Sequence, residues 1–113
     1  MVNHMMTSDN GLKLISQFEG LRLTYYKDIG GIQTIGYGHV ITKDDNLPTT
    51  ITESQALDLL RKDLHNAESL VNKYIIVDLN QNQFDALVSL VFNVGVYPLT
   101  HGLGDYLNAG DYA

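Results

Sequence analysis

The sequence contains no cysteine, and this absence limits the chemistry available to the chain. Without cysteine there are no disulfide bonds, no cysteine-based metal sites and no thiol nucleophile. No apolar run approaches the roughly 20 residues that a membrane-spanning helix needs. The N-terminus lacks a basic stretch followed by an apolar one, so the sequence predicts no secretory signal peptide. Carboxylates, histidines and hydroxyls remain as candidate catalytic groups.

Positive charge is also scarce, with seven Lys and Arg residues against thirteen Asp and Glu and a net charge of −6. Nucleic-acid binders normally carry a basic stripe, so this balance argues against that class. Hydrophobic residues make up 44% and charged residues 18% of the 113, which is typical of one globular domain. We expect a flexible tail over residues 1–7 and a single domain over residues 8–113.

Apolar residues recur at helical spacing in three segments. The longest of them begins with a capping box in which Thr52 is the N-cap and Gln55 the third helical residue. Asn80 is a good N-cap for the next helix, and Gly95 is a good stop signal after it. We expect helices from residue 8 or 9 to residue 19, over residues 53–73 and over residues 81–93, with at most one more short helix near residues 103–107.

Two further segments, residues 21–27 and residues 32–40, have the composition of β-strands. The pair Gly30-Gly31 between them predicts a hairpin turn. Gly36 and Gly38 alternate with larger residues in the second strand, which indicates a bulge or the close approach of another backbone or ligand. A small hairpin among helices is an α+β arrangement.

Three residues near this hairpin suggest acid–base chemistry. Glu19 ends the first helix, where the helix dipole and apolar neighbours should raise the pKa of its carboxyl group. Asp28 lies in a wetter turn and should stay ionised, so that it could activate a water held by Thr34. Two carboxyl groups, one with a raised pKa and one that stays ionised, are typical of glycoside hydrolases. The same residues also fit a solvated helix end, a turn former and an ordinary strand residue.

Longer motifs favour the catalytic interpretation. The segments 18–22, 25–31 and 34–39, which read FEGLR, YYKDIGG and TIGYGH, closely resemble the phage-type lysozymes, glycoside hydrolase family 24. The family pattern is Glu, eight residues, Asp, five residues, Thr, and Glu19, Asp28 and Thr34 fit it without a gap. The segments 79–95 and 107–112 also resemble the family, so the resemblance covers about residues 8–113.

The resemblance implies a lysozyme-like α+β fold, with a small β-hairpin lobe and a helical lobe joined by the long helix and a cleft between them. It implies a phage endolysin that cleaves the β-1,4 bond between N-acetylmuramic acid and N-acetylglucosamine in peptidoglycan. Glu19 would protonate the leaving oxygen, and Asp28 and Thr34 would position and activate a water, with inversion. No cofactor or metal is implied. The enzyme would be made in the host cytoplasm and would act on the cell wall in the periplasm after release by a membrane-permeabilising partner.

Three other residues receive smaller roles. Asn93 matches a substrate-facing position of the family's central helix, or it is an ordinary polar helix end. Tyr37 could stack on a sugar ring, although aromatic residues in strands more often pack in the core. We expect His39 to be structural, tying its strand to a helix through a hydrogen bond or a carboxylate. The four histidines show no metal-ligand spacing.

The C-terminal part departs from the family, whose members usually continue with further helices after the segment 110–112. We expect these helices to be missing, which would leave the apolar face of the helix over residues 81–93 uncovered. Three hypotheses follow: an active muramidase, completed where needed by self-association through that face; a non-catalytic or truncated lysozyme-like protein that binds glycan or a protein partner; and a poorly folded fragment. The complete Glu19, Asp28 and Thr34 set favours the first. The expected partners are peptidoglycan glycan strands, with no nucleic acid and no membrane insertion.

Overall fold

The computed structural model describes residues 3–109, and in that range it contains five helices and one three-stranded antiparallel sheet. The helices are α1 (Asp9–Glu19), α2 (Glu53–Tyr74), α3 (Gln81–Val94), α4 (Tyr97–Thr100) and α5 (Leu103–Asn108), and the strands are β1 (Arg22–Lys27), β2 (Gln33–Gly36) and β3 (His39–Val40). The α+β class is confirmed. Within residues 3–109, no helix combines the length and the apolar character needed to cross a membrane.

The chain forms two compact units. The sheet unit consists of residues 12–63 and holds all three strands, the larger part of α1 and the first half of α2. The helical unit consists of the described residues before and after that segment, namely 3–11 and 64–109. The sheet unit is therefore one continuous stretch of chain, whereas the helical unit is assembled from two.

The hairpin of the sheet unit forms as predicted, but its second strand is shorter. A single strand was expected over residues 32–40, whereas the structure has β2, a tight turn at Tyr37 and Gly38, and then β3. Gly36 and Gly38 have φ values of 69° and 81°, which lie in the left-handed region and cannot continue a strand. The close approach expected here is present, since a Cβ at Gly36 would lie 3.4 Å from the Ala56 Cβ.

Apolar side chains of α1, β2 and α2 supply the core of the sheet unit. The predicted stripe of α1 is buried at Leu12 and Ile15 but not at Phe18, which is 80% exposed. The segment after β3 lies along β1, where the Ile51 N–H donates to the Leu23 carbonyl at 2.9 Å. The other buried apolar residues of this unit are Ile35, Tyr37, Ile51, Ala56 and Leu60.

The helical unit contains α3 with the capping that the sequence predicted. The Asn80 side chain accepts a hydrogen bond from the Gln83 N–H at 2.8 Å, and the Gln83 side chain accepts one from the Asn80 N–H at 3.0 Å. Helix α4 is not among the predicted helices. Pro98 lies in the first turn, where its missing N–H costs no hydrogen bond. The buried apolar residues are Leu64, Ala67, Val71, Ile75, Phe84, Val88, Val91 and Leu99.

The first described residues differ from the flexible tail expected over residues 1–7. The buried amide of Asn3 donates to two backbone carbonyls that follow α2, each at 2.8 Å. The Thr7 N–H and hydroxyl both donate to one oxygen of the buried Glu68 carboxylate, at 2.7 and 2.6 Å. Residues 3–7 are therefore held by side chains of α2 and by the carbonyls that follow it. Residues 1, 2 and 110–113 lie outside the described part of the chain.

A second carboxylate holds the start of α1. Asp85 of α3 accepts hydrogen bonds from the Ser8 N–H at 3.1 Å and from the Ser8 hydroxyl at 2.5 Å. The Ser8 oxygen in turn accepts the Gly11 N–H at 3.0 Å, as an N-cap does. A Cβ at Gly11 would lie 2.6 Å from the Asp85 carboxyl carbon, so a larger residue at this position would displace the Asp85 side chain.

Candidate active site

The three predicted catalytic residues all lie in the sheet unit. Glu19 is the last residue of α1, Asp28 follows β1 directly, and Thr34 is in β2. In the antiparallel hairpin, Lys27 lies opposite Gln33. Asp28 follows Lys27 and Thr34 follows Gln33, so the two residues lie on either side of this pair. The two hairpin residues of the predicted trio are thus brought together by strand pairing.

The Glu19 carboxyl group is half-buried and makes no hydrogen bond or ion pair with the described residues. Burial raises its pKa, which is the direction expected for a proton donor. Gly20, with a φ of 72°, lets the chain leave α1 directly after this residue. A Cβ at Gly38 would lie 3.4 Å from Glu19 Oε2, so the carboxylate lies against the turn between β2 and β3.

Asp28 is exposed and is fixed by the hairpin turn. Its Oδ1 accepts the Ile32 N–H at 2.9 Å, and its own N–H donates to the Ile32 carbonyl at 3.0 Å. The Gly31 N–H donates to the Asp28 carbonyl at 2.9 Å and closes the turn. Oδ2 accepts no hydrogen bond from residues 3–109, so one carboxylate oxygen is held and the other is open to a water.

Thr34 forms a hydrogen bond with Ile32, the residue that also binds Asp28. Its side chain is buried, and its hydroxyl donates to the Ile32 carbonyl at 2.9 Å. Because that bond uses the hydroxyl hydrogen, the oxygen can accept a hydrogen bond but has no further proton to donate. Sequence reasoning missed Ile32, because its role depends on its backbone N–H and carbonyl and not on its apolar side chain.

His39 ties three segments of the sheet unit together. Its Nδ1 lies 2.7 Å from Asp63 Oδ2 on α2, and its Nε2 lies 2.9 Å from Asp45 Oδ2 in the loop after β3. Burial disfavours the charged ring, but hydrogen bonds and attraction from both carboxylates outweigh burial and raise the pKa of His39. The predicted strand-to-helix tie is present, and Asp45 adds a second partner. Within residues 3–109 no cluster of three His, Asp or Glu side chains is arranged to hold a metal ion.

Of the two residues proposed to contact substrate, Tyr37 lies in the sheet unit and Asn93 in the helical unit. Tyr37 is only 7% exposed, so its ring has little surface to offer a sugar. It packs in the core, which was the other interpretation of its sequence position. Asn93 is exposed in the last turn of α3, in the helical unit, and its side-chain amide donates to the Ser89 carbonyl at 2.9 Å.

Comparison with known proteins gives consistent matches. The family model for phage lysozyme matches residues 16–113. An endolysin of Acyrthosiphon pisum secondary endosymbiont phage 1 is 46% identical over 110 residues, which are 96% of this chain and 74% of that protein. The endolysins of Bacillus phage PZA and Lactococcus phage c2 are 44% and 42% identical, and this chain spans 42% and 46% of their lengths.

Solved structures agree with this assignment. An endolysin from the Escherichia coli O157:H7 phage FAHEc1 superposes with a TM-score of 0.88 at 38% identity, covering 98% of this chain and 72% of the other. The muramidase domain of SpmX from Asticaccaulis excentricus superposes with a TM-score of 0.81 at 37% identity, over 96% of this chain and 72% of that domain's chain. The fold is lysozyme-like, as the sequence motifs implied. The chain therefore belongs to the phage lysozyme family and is a peptidoglycan hydrolase of the endolysin type.

Proposed function

We propose that this chain cleaves the β-1,4 bond between N-acetylmuramic acid and N-acetylglucosamine, with Glu19 as the general acid. The observation that carries the proposal is the state of the Glu19 carboxyl group, which is half-buried, has a raised pKa and makes no ion pair with residues 3–109. A general acid must keep its proton near the working pH and give it to the leaving oxygen. Burial without a cation beside the carboxylate favours the protonated form.

Asp28 and Thr34 would hold and activate the attacking water. The Ile32 N–H bound to Oδ1 orients the Asp28 carboxylate, and Oδ2, which accepts no hydrogen bond from residues 3–109, would take a proton from water. The Thr34 oxygen can accept the second hydrogen of that water, because its own hydrogen is bound to the Ile32 carbonyl. Attack by water on the face opposite the leaving oxygen inverts the anomeric centre. The Ile32 backbone keeps both water-binding groups in register.

The test is the release of soluble fragments from purified peptidoglycan. Glu19→Gln keeps the shape of the side chain but removes the proton donor, and we expect it to lower the rate by at least about 100-fold. Glu53→Gln, an exposed glutamate at the start of α2, is the matched control and should keep the wild-type rate. NMR of the first product should show the inverted anomer.

Two outcomes would contradict the proposal. A Glu19→Gln protein with wild-type turnover would refute the assignment of the acid. A folded wild type that binds glycan without releasing fragments would favour the alternative of a non-catalytic lysozyme-like protein. A circular dichroism melt of each variant establishes that the protein compared is folded.

Self-association is a second part of the proposal. An apolar groove of about 220 Å³ opens between α3 and α5 in the helical unit, and Leu79, Gln83, Ala86, Leu87, Leu103 and Leu107 line it. Apolar surface of this kind is commonly covered by a partner. We expect a second copy to cover the groove, and Leu87→Asp should then shift a dimer to monomer in sedimentation experiments. A wild type that stays monomeric at every concentration measured would contradict self-association.

The site of action follows from the family. Endolysins act on the cell wall after release, and we propose that this chain is made in the host cytoplasm and reaches the periplasm through a separate permeabilising partner. Fractionation of cells that express the chain, with and without such a partner, tests this. Peptidoglycan fragments should appear only when both are present.

A further inference from the structure

Strand β1 is irregular beside the proposed catalytic residues. Arg22 pairs with Gly36, and Tyr26 pairs with Thr34, so three residues of β1 lie between these pairs against one residue of β2. Residues four apart in a regular strand lie about 13 Å apart, whereas the partners of Arg22 and Tyr26 are two apart, at about 7 Å. β1 therefore bulges, and the bulge brings Arg22 and Tyr26 towards each other.

The Arg22 guanidinium lies over the ring of Tyr26. Its central carbon is 4.8 Å from the ring centroid, which is a cation–π contact. Arg22 is exposed and makes no hydrogen bond or ion pair with residues 3–109. Because the ring covers a face of the planar guanidinium, the N–H groups at its edge can still donate. Arg22 is therefore held in place, but no carboxylate of the described residues neutralises it.

The hairpin register places this pair on the same face as the proposed water-binding residues. Tyr26 lies opposite Thr34, and the side chains of paired residues project to the same side of a sheet, with Cβ atoms about 5 Å apart. Asp28 comes two residues after Tyr26 and continues the ladder through its N–H, so alternation places it on that side as well. Lys27, between them, belongs to the opposite face.

We propose that Arg22, held by Tyr26, is a substrate-binding residue that recognises a carboxylate of peptidoglycan beside the scissile bond. The inference rests on the proposed function and names the part of the substrate that is recognised. N-acetylmuramic acid carries a lactyl carboxyl group, which is either free or linked to a peptide with carboxylates of its own. A guanidinium can donate two parallel N–H bonds to either kind of carboxylate.

The charge of the chain gives such a residue a clear purpose. The net charge of −6 opposes an anionic substrate, and an exposed cation on the face that carries Asp28 and Thr34 offsets this repulsion locally. Arg22 makes no ion pair with Glu19, three residues earlier, so its charge does not hold the proposed acid in the ionised form.

The first test is Arg22→Gln, which removes the charge. On soluble glycan strands that carry peptides, we expect KM to rise about fivefold and kcat to change less than about twofold, because the carboxylate is bound in the ground state and the transition state alike. For a neutral chito-oligosaccharide, which has no carboxylate, KM should rise less than about twofold. Arg22→Lys keeps the charge without the planar fork and should recover part of the affinity.

Lys27→Gln is the matched control. Lys27 is an exposed cation of the same strand, but it lies on the opposite face of the hairpin. Each of the two variants removes one positive charge, so an effect of overall charge would raise KM equally in both. Lys27→Gln should keep the wild-type KM, and an equal rise would overturn the inference.

Tyr26→Leu tests the ring that holds the guanidinium. Without an aromatic face Arg22 is no longer fixed, and we expect KM for the peptide-bearing strands to rise about threefold. Tyr26→Phe keeps the ring and should restore the affinity. A KM that rises equally for the chito-oligosaccharide would show a general disturbance of the hairpin and would contradict the role given to Tyr26.

Two forms of the glycan identify which carboxylate is bound. Strands treated with an amidase have lost the peptide and carry the free lactyl carboxylate, whereas intact strands carry only the carboxylates of the peptide. A loss of affinity in Arg22→Gln with either form supports the inference and assigns the group. A loss with neither form, or an equal loss with the chito-oligosaccharide, would overturn it.

Binding measurements separate failure of this inference from failure of the proposed function. In the Glu19→Gln background, calorimetry with the same glycans measures Kd without turnover, and Arg22→Gln should weaken binding about fivefold. An inactive but folded wild type would refute the function, and the Kd would still judge Arg22. An unchanged Kd would overturn the inference even in an active enzyme. Circular dichroism melts establish that each variant is folded, and Arg22→Lys replaces Arg22→Gln should that variant unfold.

Discussion

At the scale of single residues, His39 shows how a buried histidine can set a pH window for stability. Its ring lies between Asp63 and Asp45, and the two carboxylates raise its pKa above the ordinary value of 6.5. The pKa of Asp45 is lowered, first by the backbone hydrogen bond from Thr42 and then by His39. The folded state therefore holds a proton on His39 more tightly, and one on Asp45 less tightly, than the unfolded state does.

The ion pairs of His39 with Asp45 and Asp63 should stabilise the protein most at mildly acidic pH. The stability that His39 contributes is fully present below the pKa of His39 in the unfolded chain, and it is lost as the pH rises through the raised pKa of the folded state. The stability that Asp45 contributes is lost as the pH falls through its lowered pKa in the folded state. We expect His39→Gln to lower the free energy of unfolding by about 2 kcal/mol near pH 5.5 and by less near pH 9. Urea denaturation at both values measures this, and an equal loss at both would contradict it.

At the scale of elements, two helices hold the start of the chain by carboxylates. Glu68 of α2 accepts two hydrogen bonds from Thr7, and Asp85 of α3 accepts two from Ser8. His65 lies 3.0 Å from the other Glu68 oxygen. A buried carboxylate is costly unless its oxygens are hydrogen-bonded, and the residues before α1 supply those bonds.

Thr7→Val should therefore destabilise the protein although it keeps the size of the side chain. The substitution removes the buried hydroxyl donor to Glu68, and we expect a loss of about 1–2 kcal/mol in the free energy of unfolding. Thr50→Val changes an exposed threonine whose side chain makes no hydrogen bond with the described residues and is the control. If Thr7→Val and Thr50→Val melt at the same temperature, the Thr7 hydroxyl contributes nothing to the stability of the fold.

The same elements show what the sequence could predict. Helices α1, α2 and α3 were found almost to the residue, because each has an apolar stripe and clear end signals such as Asn80 and Gly95. The second hairpin strand and α4 were not, since the turn at Tyr37 depends on two glycine φ values and α4 on a proline at a helix start. Strong periodicity specifies long elements, whereas short ones depend on local backbone geometry.

The candidate site was predictable only in part for a similar reason. Residue spacing and resemblance predict Glu19, Asp28 and Thr34 as the catalytic residues, and the structure places all three in one unit. The hydrogen bonds of Asp28 and Thr34 with Ile32 could not be predicted, because on the Ile32 side they involve backbone atoms that any residue type carries. Tyr37 is buried in the core of the sheet unit, which was one of the two expectations for its ring.

At the scale of the whole molecule, the net charge of −6 opposes an anionic substrate. Like charges repel over a Debye length of about 30 Å at 0.01 M salt but only about 8 Å at 0.15 M. We expect kcat/KM on purified peptidoglycan to rise at least about twofold between these salt concentrations. A neutral chito-oligosaccharide should show no such rise, and a fall with salt on peptidoglycan would contradict the argument.

The division of the chain also fixes an order of events during synthesis on the ribosome. The sheet unit is one continuous segment that carries Glu19, Asp28 and Thr34, so it can complete its own contacts as soon as residue 63 has emerged. Residues 3–8 must wait for Glu68 and Asp85, which are made later. At about 5–20 residues per second, the nascent N-terminus stays undocked for a few seconds, while the unit with the proposed catalytic residues is already able to fold.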